Sequence, residues 1–207
     1  MDLKRYMNEM SIAGYGDWEP SKEMIGTKSA LVLRKKWFKI DNIRTYTNKT
    51  LEVYKDSKSE YFIAGNFITS SEGDERFEID FEIEMKEHKG IASDFKIKQR
   101  LMNVDGVRVK TTKQGDGIST EMYKSLVKNE NIIILGDEIQ YFGARKLWSR
   151  LSKSIDVVVD IIDVKTNIYL EKDVLLKHGN EDWDFDNRVW SYDYDKKNIR
   201  LLLKEIK

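Results

Sequence analysis

Val107-Arg108-Val109-Lys110-Thr111-Thr112-Lys113-Gln114-Gly115-Asp116-Gly117-Ile118-Ser119 is the stretch on which the fold of this chain turns. It starts among β-branched residues, passes two glycines and ends where a helical apolar pattern begins. A strand that feeds a helix through such a loop aims unpaired backbone N–H groups and the positive end of a helix dipole at one point. That makes an anion site, above all for phosphate. The glycines let a ligand reach the backbone with no Cβ in the way. The plainer alternative is a turn in which Asp116 caps the helix, and two glycines taken alone favour it.

Downstream, Ile118, Met122 and Leu126 recur at four-residue spacing beside Tyr123 and Val127, which predicts a helix over 117–128. Ile132-Ile133-Ile134-Leu135 is wholly apolar, as expected of a strand covered on both faces. Ala144, Leu147, Trp148 and Leu151 mark a second amphipathic helix, and strands follow at 155–162, 168–170 and 199–206. Upstream, Leu101, Val104, Val107 and Val109 predict a strand, with Asp105-Gly106 as either a tight turn or a bulge. In 76–87, Phe77, Ile79, Phe81, Ile83 and Met85 alternate with Glu78, Asp80, Glu82, Glu84 and Lys86. A period of two predicts one face in the core and one in water. Residues 70–74 join that strand to another at 60–69 as a hairpin, and 29–33 reads as a strand. The order is an antiparallel first half, then strand–helix–strand–helix–strand: a mixed α/β domain. Residues 1–28, around the single proline Pro20, read as an N-terminal helix and loop extension, and 29–207 as one domain.

A chain of 207 residues suits one such domain. Lys+Arg and Asp+Glu both number 36, so the formal net charge is +0. That disfavours a surface built throughout for nucleic acid while leaving a local basic patch open. With Cys 0, disulfides, thiolate metal sites and cysteine nucleophiles are excluded. His88 and His178 sit in no ligand-spaced motif, and no metal site is expected. The N-terminus leads into no apolar run long enough for a signal peptide or a membrane span, so the expected setting is cytoplasmic, without a membrane partner. Glu181-Asp182-Trp183-Asp184-Phe185-Asp186 reads as a solvated loop pinned by its aromatics. Arg34-Lys35-Lys36-Trp37-Phe38-Lys39 has the composition of a nucleic-acid contact but reads first as a strand end with solvated lysines.

Gln114-Gly115-Asp116-Gly117-Ile118-Ser119 resembles the signature of the GNAT (N-acetyltransferase) superfamily: Gln or Arg, two free positions, Gly, one free position, then Gly or Ala. Gln114 and Gly117 match, whereas Ser119 departs at the last position. The helix with Tyr123 and Leu126 resembles the family's third helix, and Ala144-Arg145-Lys146-Leu147-Trp148 its fourth. The resemblance covers about 101–162 by motif and the rest by strand order. It implies an α/β (mixed), GNAT-like fold: a mainly antiparallel sheet with a splayed central strand pair and flanking helices. It also implies acetyl-CoA, or another acyl-CoA, as co-substrate. Val107 and Val109 would meet the pantetheine arm, and Gln114, Gly115, Asp116, Gly117, Ile118, Ser119 and Thr120 the phosphates. Beyond Leu135, residues Gly136, Asp137 and Glu138 would face the thioester slot, with Asp137 and Glu138 as candidate bases and Tyr141 as candidate donor to the thiolate. Trp148 stands where many GNAT enzymes carry an acidic tyrosine, and an indole N–H is no useful acid. The implied activity is N-acyl transfer to an amine. Two alternatives accompany it: a nucleic-acid base modifier like the phage Mom proteins, and a non-catalytic phage-type binding protein directed at host defence. Fold alone does not choose among these.

Overall fold

The computed structural model describes residues 27–136, 142–174 and 198–206. Ten strands run in chain order: β1 (Thr27–Ser29), β2 (Phe38–Arg44), β3 (Thr50–Lys55), β4 (Tyr61–Thr69), β5 (Glu75–Glu87), β6 (Arg100–Val109), β7 (Ile132–Leu135), β8 (Val157–Asp163), β9 (Ile168–Glu171) and β10 (Ile199–Glu205). The helices are α1 (Ala30–Lys36), α2 (Lys89–Asp94), α3 (Ile118–Asn129) and α4 (Phe142–Ser152). All ten strands form one sheet, ordered β2-β3-β4-β5-β6-β7-β10-β8-β9, with β1 on β5 beyond the end of β6. Every pairing is antiparallel except β6 with β7.

This sheet corrects the expected GNAT-like architecture. Among the described residues strand outweighs helix, 47% to 25%, and ten strands exceed the central sheet of that fold. The excess was hidden in charged segments: Phe38–Arg44 and Thr50–Lys55 form a hairpin at the sheet edge. Thr27 and Lys28 pair with β5. Residues 29–33 are not a strand, because α1 starts at Ala30 and buries Ala30 and Leu33, one turn apart, leaving Leu31 and Val32 outside.

Helices α3 and α4 cover one face, where Ile118, Met122, Leu126, Trp148 and Leu151 join Phe62, Phe81, Ile83, Met85, Ile134 and Leu203 in the main core. On the other face, Ile91 of α2 meets Leu101, Ile133, Leu135 and Leu202, and Leu33 of α1 meets Phe77 and Ile79. The β7 run is therefore covered on both faces, Ile132 and Ile134 one way, Ile133 and Leu135 the other.

Strand β5 departs from its simple alternation. Gly65 pairs with Ile79 and Ala64 with Phe81, so Asp80 is an extra residue that forms a β-bulge. Past the bulge the faces exchange: Phe77 and Ile79 pack under α1, while Phe81, Ile83 and Met85 pack under α3. All five are buried, but not in one row. Nor is the acidic side solvent-facing throughout, since Asp80 and Glu82 are both buried. Glu82 is satisfied by Tyr61 Oη at 2.5 Å and by Arg108 Nη1 at 2.6 Å. Gly65 is required here, because a Cβ on it would stand 1.9 Å from the Glu78 carbonyl oxygen.

Candidate functional site

Strand β6 pairs with β7 in parallel for four residues only, from Arg100↔Ile132 to Asn103↔Leu135. Beyond Asn103 it continues to Val109 paired with β5 alone. Asp105 is a bulge, the second of the two readings open for Asp105-Gly106: Gly106 pairs with Glu84 and Val104 with Met85. The opposite edge of residues 104–109 is paired to no strand among the described residues. A fork thus opens between β6 and the end of β7. Val107 is solvent-exposed beside it, and Val109 packs against the main core.

At the far end of that edge the chain makes one 3-10 turn, Thr111–Lys113, then Gln114 in extended conformation, and enters α3. Gly115 has φ +88° and Gly117 φ +77°, left-handed conformations that suit glycine. Gly117 is the N-cap, so no side chain caps the helix. The first amide bonded back into the helix is that of Glu121, to Gly117 O at 3.1 Å. Among the described residues, no hydrogen bond engages the amides of Gly115, Gly117, Ile118, Ser119 or Thr120. These are the orphan donors of a helix start, and no described residue occupies them.

Asp116 does not cap the helix, as the plainer reading had it. Its Oδ1 accepts from the Thr47 amide and its Oδ2 from the Thr47 hydroxyl, both at 2.9 Å. Tyr46 N–H donates to the Asp116 carbonyl at 3.0 Å. The β2–β3 turn therefore holds the loop from one side. Burial pushes the Asp116 carboxyl up, but the bonds from Thr47 prevail and hold it below the ordinary carboxylate range. The carboxylate therefore stays ionised, with both oxygens turned to Thr47. The Tyr46 ring lies over Gly117 so closely that a Cβ there would sit 2.5 Å from it. The Arg150 guanidinium stands 5.9 Å from the centre of the same ring.

Lys110 and Lys113 flank the loop. Asp80 approaches them at 3.9 Å and 4.0 Å, ion-pair distances too long for hydrogen bonds. Its buried Oδ1 has no hydrogen-bond partner, and burial, partly offset by Lys113 and Lys110, raises its pKa.

Asp137, Glu138 and Tyr141 lie outside the described residues, as do His178 and 181–186. Gly136 is described: it is buried, and its amide donates to Leu201 O at 2.8 Å. Trp148 is 2% exposed and packs edge-on against Tyr123, so it belongs to the core and not to the fork. The sequence reading missed Arg200. This buried arginine of β10 donates from Nε to the Gly136 carbonyl and from Nη2 to Asn103 Oδ1 at 2.7 Å, closing the base of the fork. No motif signals it, because Gly136 and Asn103 are 64 and 97 residues away. An open cleft lined by Thr27, Ala30, Leu31, Arg34 and Asp74 lies apart from all this, beside β1 and α1.

Among the described residues no cluster of His, Cys, Asp and Glu could hold a metal ion, and no helix is long and apolar enough to cross a membrane. No family model, curated protein or solved structure matches this chain.

Proposed function

We propose that this chain is an acyl-CoA-dependent N-acyltransferase, with acetyl-CoA as donor and an amine as acceptor. One observation carries the reading: among the described residues, the amides of Gly115, Gly117, Ile118, Ser119 and Thr120 meet no acceptor and gather at the end of a strand edge that pairs with no strand. A pyrophosphate suits the first feature. An amide-bearing arm suits the second, since a free strand edge offers backbone donors and acceptors to an extended ligand. In this reading the phosphates meet Gln114 to Thr120, and the pantetheine runs along Val107 and Val109 toward Gly136. The acyl group then sits in the fork, with Asp137 and Glu138 next in the chain as bases and Tyr141 as proton donor to the departing thiolate.

A buried Trp148 supplies no acid, and that favours a second reading in which the coenzyme is bound and not turned over. The two separate in one assay. Purified protein is given acetyl-CoA and a panel of amines, and release of free thiol is followed. A transferase releases thiol in an amine-dependent way, and Asp137→Asn lowers that rate by roughly a hundredfold, the usual loss for a general base. Binding without any thiol release, across the panel, supports the second reading.

A further inference from the structure

We propose that Arg200 is the positioning residue of the fork. It acts through Asn103 and Gly136 to set where β6 and β7 part, and so where the acyl-bearing end of the coenzyme comes to rest. The inference rests on the coenzyme reading above and adds a residue that no motif marks.

Three features of the geometry carry it. First, Asn103 and Leu135 are the last residues of the parallel pairing, and Arg200 touches both sides of that limit. Second, β10 pairs with β7 only at Leu202↔Leu135 and Leu203↔Ile134, so Arg200 lies past the end of β7. Its side chain reaches across the position a longer β7 would fill. Third, the arginine is only 5% exposed, so the bridge is shielded from water. What the guanidinium supplies is rigidity, because its planar fork of donors fixes two strands at once.

Ligand position depends on such rigidity, since a displacement of about 1 Å can cost roughly a hundredfold in a well-ordered site. Asn103→Leu removes one acceptor, Asn103→Asp keeps it, and Arg200→Lys keeps the charge without the two-armed bridge. Two readouts are needed: acetyl-CoA affinity by titration calorimetry, and amide hydrogen exchange at Gly136 and in β7 compared with β2 and β3. Positioning predicts that Asn103→Leu and Arg200→Lys weaken acetyl-CoA binding by at least about tenfold. Exchange should then rise at Gly136 and β7 while β2 and β3 are unchanged, and Asn103→Asp should restore both. Folded variants that bind acetyl-CoA within about twofold of wild type would overturn the proposal. If wild-type protein binds no acetyl-CoA, the coenzyme reading fails separately. Exchange then decides for the clamp: a rise confined to the fork supports it, and a rise spread evenly, or none, overturns it.

Discussion

Asp116 shows how one side chain settles a question that its type leaves open. Aspartate before a helix usually caps it, but here the carboxylate reaches 69 residues back to Thr47 and does not cap the helix amides. Its folded pKa lies below the ordinary value, so this tether contributes stability above the ordinary carboxylate range and loses it as pH falls through the lowered value. Asp116→Ala is therefore expected to melt below wild type at pH 7, with the gap closing as the pH is lowered below the ordinary carboxylate range. A gap that is constant with pH would show that the tether does not depend on charge. Trp148 makes the complementary point. With 2% exposure against Tyr123, Trp148→Phe should lower stability by about 1–3 kcal/mol through lost packing and leave thiol release unchanged. Loss of turnover without loss of stability would return the indole to the chemistry.

At the scale of elements, the unit β6–loop–α3–β7 was legible because every level agreed. Ile118, Met122 and Leu126 repeat with helical spacing, four apolar residues fill β7, and glycines fall at the two left-handed positions of the loop before α3. Strand β5 was half legible. Its alternation runs unbroken through Asp80 in sequence, yet the bulge moves Phe81 to the face opposite Phe77, and only the partner strand reveals that. The two substitutions that follow from this are distinct. Gly65→Ala would drive a Cβ into the Glu78 carbonyl, and overpacking against backbone should cost about 3 kcal/mol or more in chemical denaturation. A variant as stable as wild type would show that β4 and β5 do not meet so closely. Phe81→Asp places a carboxylate in the main core and should abolish cooperative melting. A soluble, cooperatively melting Phe81→Asp would mean that the face exchange at Asp80 is misplaced. Helix α1 was misread because Leu31-Val32-Leu33 has strand composition, whereas only Ala30 and Leu33 find the core.

For the whole molecule, the sheet is larger than the resemblance implied. The added strands Phe38–Arg44 and Thr50–Lys55 do more than widen it: the turn between them carries Tyr46 and Thr47 onto the loop before α3. That coupling was illegible in sequence, as was the Arg200 bridge, because both join segments far apart in the chain. The central claim is that the amides at the start of α3 hold the phosphates of acyl-CoA. Replacing Gly117 is a poor test, since its Cβ would strike Tyr46 whether or not a ligand binds. Ser119→Glu is better, because a carboxylate in the first helical turn suits the dipole of the free protein and repels a bound phosphate. The deciding measurement is titration calorimetry of acetyl-CoA into wild type and Ser119→Glu, with the melting temperature of each free protein as the check on folding. The account predicts heat of binding for wild type, its loss in a Ser119→Glu protein that melts at or above wild type, and no heat at all from wild type at millimolar coenzyme would contradict it.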